Sequence, residues 1–261
     1  MPHLTIDVAG FGVPAHAHPL VAPSEWDALA RPDAPVHWVV LNVDDGPGAC
    51  PDPLYAKAVA RLREARVRVL GHLDAAYGDR GFAELVSDAR HYLDWYEVTG
   101  FYLDRAPQTR DRLPECRRAA ATLEALLGRG DGHIVLGHGT HPYPGFAEIA
   151  DQLVTYCGPW TGYRWSEAPE WTAGYPPERF CHLVHGVPRP HLEEAMRIAR
   201  WQGAASVYFT DRTDGADDEY ATYATDAARD AVGRGFDPWE GLPAYWDEAA
   251  RILRDQPPPS R

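Results

Sequence analysis

Several features that would identify a chain of this length at once are missing from these 261 residues, and each absence narrows the field. The four cysteines, Cys50, Cys116, Cys157 and Cys181, show no Cys-x-x-Cys spacing, which argues against a zinc ribbon, a redox pair or a disulfide framework. No Gly-x-Gly-x-x-Gly follows an early apolar run, so a dinucleotide fold has little support. No His-Glu-x-x-His or other compact ligand spacing points to a metal, and no motif points to another cofactor. Positive charge is scarce: 25 basic against 38 acidic residues give a net charge of −13. Nucleic acid and anionic membrane both demand clustered positive charge and are excluded as partners. Lys57 is the single lysine, and the arginine preference reads as coding bias rather than phosphate recognition. No apolar stretch is long enough to cross a bilayer, and no basic segment followed by an apolar one opens the chain, so the expected location is the cytoplasm.

What is present is a repeating unit: a short apolar run, a polar turn rich in Gly or Pro, then an amphipathic helix. The runs are Phe11 to Ala15, Val36 to Leu41, Val67 to Leu70, Gly100 to Leu103, His133 to Leu136, Leu153 to Tyr156, His182 to Val184 and Ala205 to Phe209. Short apolar runs bounded by turn residues fit strands buried on both faces, as a parallel sheet covered by helices requires. Between them, Phe82, Leu85, Val86, Ala89, Leu93 and Tyr96 follow helical spacing, as do Leu192, Ala195, Met196 and Ala199. Eight strands in one domain of this size predict a single (β/α)8 TIM barrel, with an open doubly wound sheet as the rival. Function then belongs at the C-terminal strand ends.

The barrel is expected to span residues 1–254, with an insertion at 212–235 that holds a short helix over Thr222 to Ala231, and a disordered tail at 255–261. Cys116 shares a helical face with Ala120, Leu123 and Leu127 and reads as core, and Cys181 precedes a strand and reads as buried. Cys157 stands at a strand end, where a functional role is open.

An ordered set of segments carries a resemblance: Val13-Pro14-Ala15 with His18-Pro19, Leu41-Asn42 with Gly46-Pro47-Gly48, Asp52-Pro53-Leu54-Tyr55, Gly71 through Arg80, Tyr92 with Trp95-Tyr96, Gly100 through Asp104, Val154 through Trp160, Thr210-Asp211 and Leu242 through Trp246. Together they resemble the spherulin-4, or spherulation-specific family 4, proteins over nearly the whole chain. That family is similar to (β/α)8 glycoside hydrolases acting on exopolysaccharides that contain galactosamine or N-acetylgalactosamine, and the resemblance implies the same class here, with an oligosaccharide or small-molecule substrate.

Glycosidic cleavage usually takes two carboxyl groups facing one cavity, one protonating the leaving oxygen and one acting as nucleophile or activating water. Asp104 matches the family's acidic position after the fourth strand. The related hydrolases often carry Asp-Glu there, where this chain has Asp104-Arg105, and tend to carry a glutamate after the sixth strand, where this chain has Cys157. A guanidinium cannot act as a base, and a thiol is a poor substitute for a carboxylic acid. Asp74, Asp44, Asp45 and Asp211 stand at strand ends as possible second carboxylates, and each serves equally well as a turn residue or helix cap.

His16, His72, His138 and His185 stand at the same rim, where the resemblance implies tyrosine, tyrosine, asparagine and tyrosine. Imidazoles and the Cys157 thiol from different strands would supply general acid/base groups, a Cys-His nucleophile or a metal site, or remain hydrogen-bonded structure. Tyr77, Trp160, Tyr163, Trp165, Trp171 and Trp239 lie in loops after strands, where sugar rings can stack, while Trp95 and Trp246 are expected to pack on the barrel. Arg80 and Arg164 would bind an anionic group or hold acidic side chains, and Asn42 and Arg105 complete the expected binding set.

Three readings follow. The first is a glycan-active hydrolase with an altered acidic site, using Asp104 and Asp74 with Cys157 and His138 near the chemistry. The second is a diverged small-molecule enzyme working through histidine and Cys157, with or without a metal. The third is a non-catalytic carbohydrate-binding barrel. None of the three specifies an oligomeric state.

Overall fold

The computed structural model describes residues 10–15, 17–128, 132–214 and 237–255. Eight parallel strands close into a barrel in sequence order: β1 Gly10–Ala15, β2 Val36–Leu41, β3 Arg68–Asp74, β4 Gly100–Asp104, β5 His133–Gly137, β6 Gln152–Pro159, β7 Phe180–His185 and β8 Ser206–Phe209. The helices are α1 Pro23–Leu29, α2 Pro53–Glu64, α3 Phe82–Tyr96, α4 Leu113–Leu127, the four-residue α5 Trp160–Tyr163, α6 Leu192–Gln202 and α7 Trp246–Arg254. The open-sheet rival is excluded by closure, since β1 pairs with both β2 and β8. No helix among the described residues is long and apolar enough to cross a membrane. The expected helix over Thr222 to Ala231, insertion residues 215–235, tail residues 256–261 and His16 lie outside the described residues.

Two large rings fill the barrel interior, each facing a glycine. Trp38 lies over Gly12, where a methyl group would collide with the indole, and the Tyr102 hydroxyl sits 2.6 Å from where a Cβ on Gly137 would be. Below them a polar chain crosses the barrel. Trp38 Nε1 donates to Gln152 Oε1 at 2.8 Å, Gln152 Nε2 donates to Ser206 Oγ at 2.9 Å, and His37 Nδ1 lies 3.1 Å from the same hydroxyl. Buried polar groups are tolerated because they satisfy one another.

Two expectations change. The third strand runs on past Leu70, the expected end of its apolar run, through Gly71-His72-Leu73-Asp74, because its ladder with β4 continues from Leu70↔Gly100 to Asp74↔Asp104. Strand β6 likewise continues past Tyr156 to Pro159. The helix layer is also incomplete. A 3-10 turn at Pro144–Glu148 joins β5 to β6, and only α5 and 3-10 turns join β6 to β7. These segments carry Pro142, Pro144, Pro169, Pro176 and Pro177, and proline interrupts helical hydrogen bonding. Buried Phe146, Trp160 and Tyr163 cover the sheet there in place of a helix.

Candidate active site at the barrel mouth

The strand ends open into a small cavity of about 60 Å³ that holds His72 from β3, Tyr102 and Asp104 from β4, Cys157 from β6 and Trp239 from the segment after β8. Pro14, Val40 and Leu183 close its walls. His72 Nε2 lies 3.4 Å from Asp104 Oδ2, and the Asp104 side chain keeps 41% of its surface open to solvent. The His72 and Tyr102 rings stack at 6.4 Å. Burial, with Asp104 and Cys157 adding to it, holds the Tyr102 phenol well above its ordinary pKa, so it remains a hydrogen-bond donor.

A β-bulge aims Cys157 at this cavity. Gln152 points into the barrel, and strict alternation would turn a residue five positions later outward. The register of β6 on β7 shifts between Val154 and Tyr156, inserting one extra residue and reversing the parity. Tyr156 therefore packs outside against Tyr163, ring centroids 4.7 Å apart, while Cys157 lines the mouth. Cys157 is exposed at the cavity surface yet ringed by protein atoms. That crowding, reinforced by the charges of Asp104 and Asp237, pushes its thiol up to about 12. It is a neutral group at physiological pH, unlike an activated cysteine.

Asp74 reaches the rim but is already engaged. Arg105 Nε donates to Asp74 Oδ1 at 2.8 Å and its terminal nitrogen to Oδ2, while the Ala76 N–H donates to Oδ1 at 2.8 Å. Burial pushes this carboxyl up, but the Arg105 and Ala76 hydrogen bonds outweigh it and the pKa is lowered. The backbone here is strained: Ala76, Tyr77 and Arg105 have φ of 43°, 57° and 48°. Tyr77 stands exposed on the rim, with the Arg105 guanidinium 5.8 Å from its ring centroid.

The remaining expected residues divide. His185 is buried at the end of β7 with its ring 5.8 Å from Trp239, and its Nε2 lies 3.9 Å from Asp214. His138 does not reach the mouth. Because Gly137 faces inward, His138 turns out against Phe146, 5.0 Å away, and burial lowers its pKa to about 4 against the backbone of Ala106 and Pro107. Asn42 Oδ1 accepts from Gly46 N and organises a turn. Asp211 accepts from Ala244 N, and Arg80 faces away from the mouth to the Asp74 carbonyl and Asp88. Trp160 is buried beneath Arg164, whose partner is Glu194. Among the described residues no group of three or more His, Cys, Asp or Glu could hold a metal.

Tyr102, which lines the mouth, and Asp237, whose charge acts on Cys157 from the segment after β8, were missed by inspection of strand ends. Tyr102 lies within a strand, two positions before its end, where only inward alternation with Asp104 marks it. Asp237 Oδ1 accepts from Trp239 N at 2.9 Å, so an Asp-x-Trp turn was the available signal.

Residues 11–251 match the profile of spherulation-specific family 4. The chain belongs to that family. A curated relative, Spherulin-4 of Physarum polycephalum, is 24% identical over 148 residues, covering 55% of this chain and 43% of the relative. The match thus spans less than half of that protein's length. Among solved structures, the fold is similar to that of Aspergillus clavatus Sph3, crystallised in complex with GalNAc. The TM-score is 0.76 at 23% identity, covering 96% of this chain and 99% of Sph3. Family membership and this likeness agree with the closed barrel derived above.

Proposed function

We propose that this family 4 barrel holds a hexosamine-containing glycan at its mouth, with Asp104 receiving the sugar's polar groups and Trp239 and Tyr77 offering apolar surface. The carrying observation is the convergence of Asp104, His72, Tyr102, Cys157 and Trp239 on one cavity, while Arg105 neutralises the neighbouring Asp74. A cavity of about 60 Å³ admits one ring substituent, since a water occupies roughly 30 Å³. The sugar ring itself then lies on the aromatic rim. The GalNAc bound by Sph3 supports the choice of sugar. Titration calorimetry with N-acetylgalactosamine and galactosamine oligomers tests this: saturable binding is expected, weakened at least tenfold by Asp104→Asn. Absence of binding by either oligomer overturns it.

Hydrolysis is the second reading, favoured by one observation: besides Asp104 in the cavity wall, Asp237, two residues before the cavity-lining Trp239, is near enough for its charge to raise the Cys157 thiol. Cleavage would take both, one as acid and one as base or nucleophile. Reducing-end release that is lost in Asp104→Asn and in Asp237→Asn separately supports it; glycan binding without release leaves a binding barrel. The high thiol pKa weighs against a Cys157 nucleophile. We place the protein's work in the cytoplasm, where four unpaired thiols persist, and fractionation of the native host checks this.

A further inference from the structure

A larger cavity than the mouth lies behind its rim. It occupies about 410 Å³ between the first turns of α3 and α4, within the usual size of a small-molecule pocket. Its floor is apolar, made by Leu103 of β4, Phe82 and Leu85 of α3, and Cys116 and Ala119 of α4. Its rim carries three arginines in a chain whose net charge is −13. Two are committed. Arg80 pairs with Asp88 and donates to the Asp74 carbonyl, and Arg112 is shared between Asp79 at 2.9 Å and Glu115 at 3.3 Å. The third, Arg118, rests on the Phe82 ring 4.1 Å from its centroid and has no carboxylate partner among the described residues. It presents an open guanidinium fork beside an aromatic face and an apolar floor.

We propose that this cavity is a second ligand site and that it takes a small amphipathic anion, a single carboxylate or phosphate head on an apolar body. The head pairs with Arg118 in the bidentate geometry that guanidinium favours, and the body enters over Phe82, Leu85 and Ala119. The site is pre-organised, because Arg80 and Arg112 tie the Asp74 and Gly78 carbonyls and so hold the intervening turn as its wall. It is independent of the glycan reading, since none of its lining residues belongs to the mouth cavity.

Fluorescence titration of the full chain with 1-naphthoate and 1-naphthyl phosphate tests the assignment, with the neutral 1-naphthalenemethanol as control. One-to-one saturable binding of an anionic probe is expected, at least tenfold tighter than the neutral one, and the preferred head tells a carboxylic acid from a phosphate ester. Arg118→Gln, at an exposed position that leaves folding intact, should weaken it at least tenfold, and Ala119→Phe should fill the cavity and abolish it. The assignment fails if neither anion saturates, if the neutral probe binds equally, or if Arg118→Gln binds like the parent chain.

Discussion

Arg105 withdraws Asp74 from the chemistry of the mouth by giving both carboxylate oxygens a guanidinium partner, and Asp104, its ladder partner on the adjacent strand, has His72 as its neighbour. Because burial alone pushes Asp74 upward, removing the arginine should raise its pKa. Arg105→Asn keeps a residue that tolerates the left-handed backbone at φ 48°, and carboxyl NMR titration should then show Asp74 protonating at higher pH than in the parent chain. An unmoved titration would mean that Arg105 is not what holds it down. Cys157 is expected to be a slow thiol despite its exposure. Alkylation by iodoacetamide at pH 7 should label exposed Cys50 before Cys157, with Cys157 reacting appreciably only as the pH approaches about 12. Rapid labelling of Cys157 at pH 7 would restore it as a nucleophile.

At the level of strands, the bulge in β6, a register shift of β1 on β2 between Phe11 and Gly12, and the seam between β8 and β1 depart from regular pairing. Excising Thr155, the extra residue, should return β6 to strict alternation with Cys157 four positions after Gln152 and still facing the cavity, whereas a one-residue insertion beside it should turn Cys157 out and Tyr156 in, with a large drop in melting temperature. The seam is thin: among the described residues β1 and β8 pair at Gly10↔Ser206 and Phe11↔Val207, whereas β3 and β4 pair at five positions. Hydrogen exchange followed by NMR should therefore find β8 amides exchanging faster than those of β4. Equal protection would show that the outer layers, rather than the ladder, hold the seam. The missing helices after β5 and β6 follow from the same local chemistry, with proline stopping the helix and aromatic side chains covering the sheet instead.

Across the whole molecule, acid is the expected point of weakness. Burial lowers His133 and His138 to about 4 and His182 to about 3, from an ordinary value of 6.5. The unfolded chain then binds these protons before the folded one does. Stability is therefore undiminished above about pH 7 and lost as the pH falls from 6.5 toward 4, by up to about 1.4 kcal/mol per pH unit for each histidine. Urea unfolding between pH 7 and 4.5 should show this slope, and His138→Phe should flatten it by roughly one histidine's share. An unchanged slope in that variant would exclude His138 as a contributor.

Much of this architecture was legible from residue order. Eight apolar runs with helical spacing between most of them imply a closed α/β barrel, because parallel strands need covered faces and each amphipathic stripe needs a sheet to bury it. Asp104 at a strand end and Cys157 as a candidate were also readable, as were the core positions of Cys116 and Cys181. What a side chain faces was decided in three dimensions. A one-residue bulge turned Cys157 to the mouth, an inward Gly137 sent His138 to the outer layer, and an ion pair formed across neighbouring strands claimed Asp74. Local sequence encodes periodicity, whereas parity, pairing and the meeting of distant charges depend on how the closed sheet sets its register.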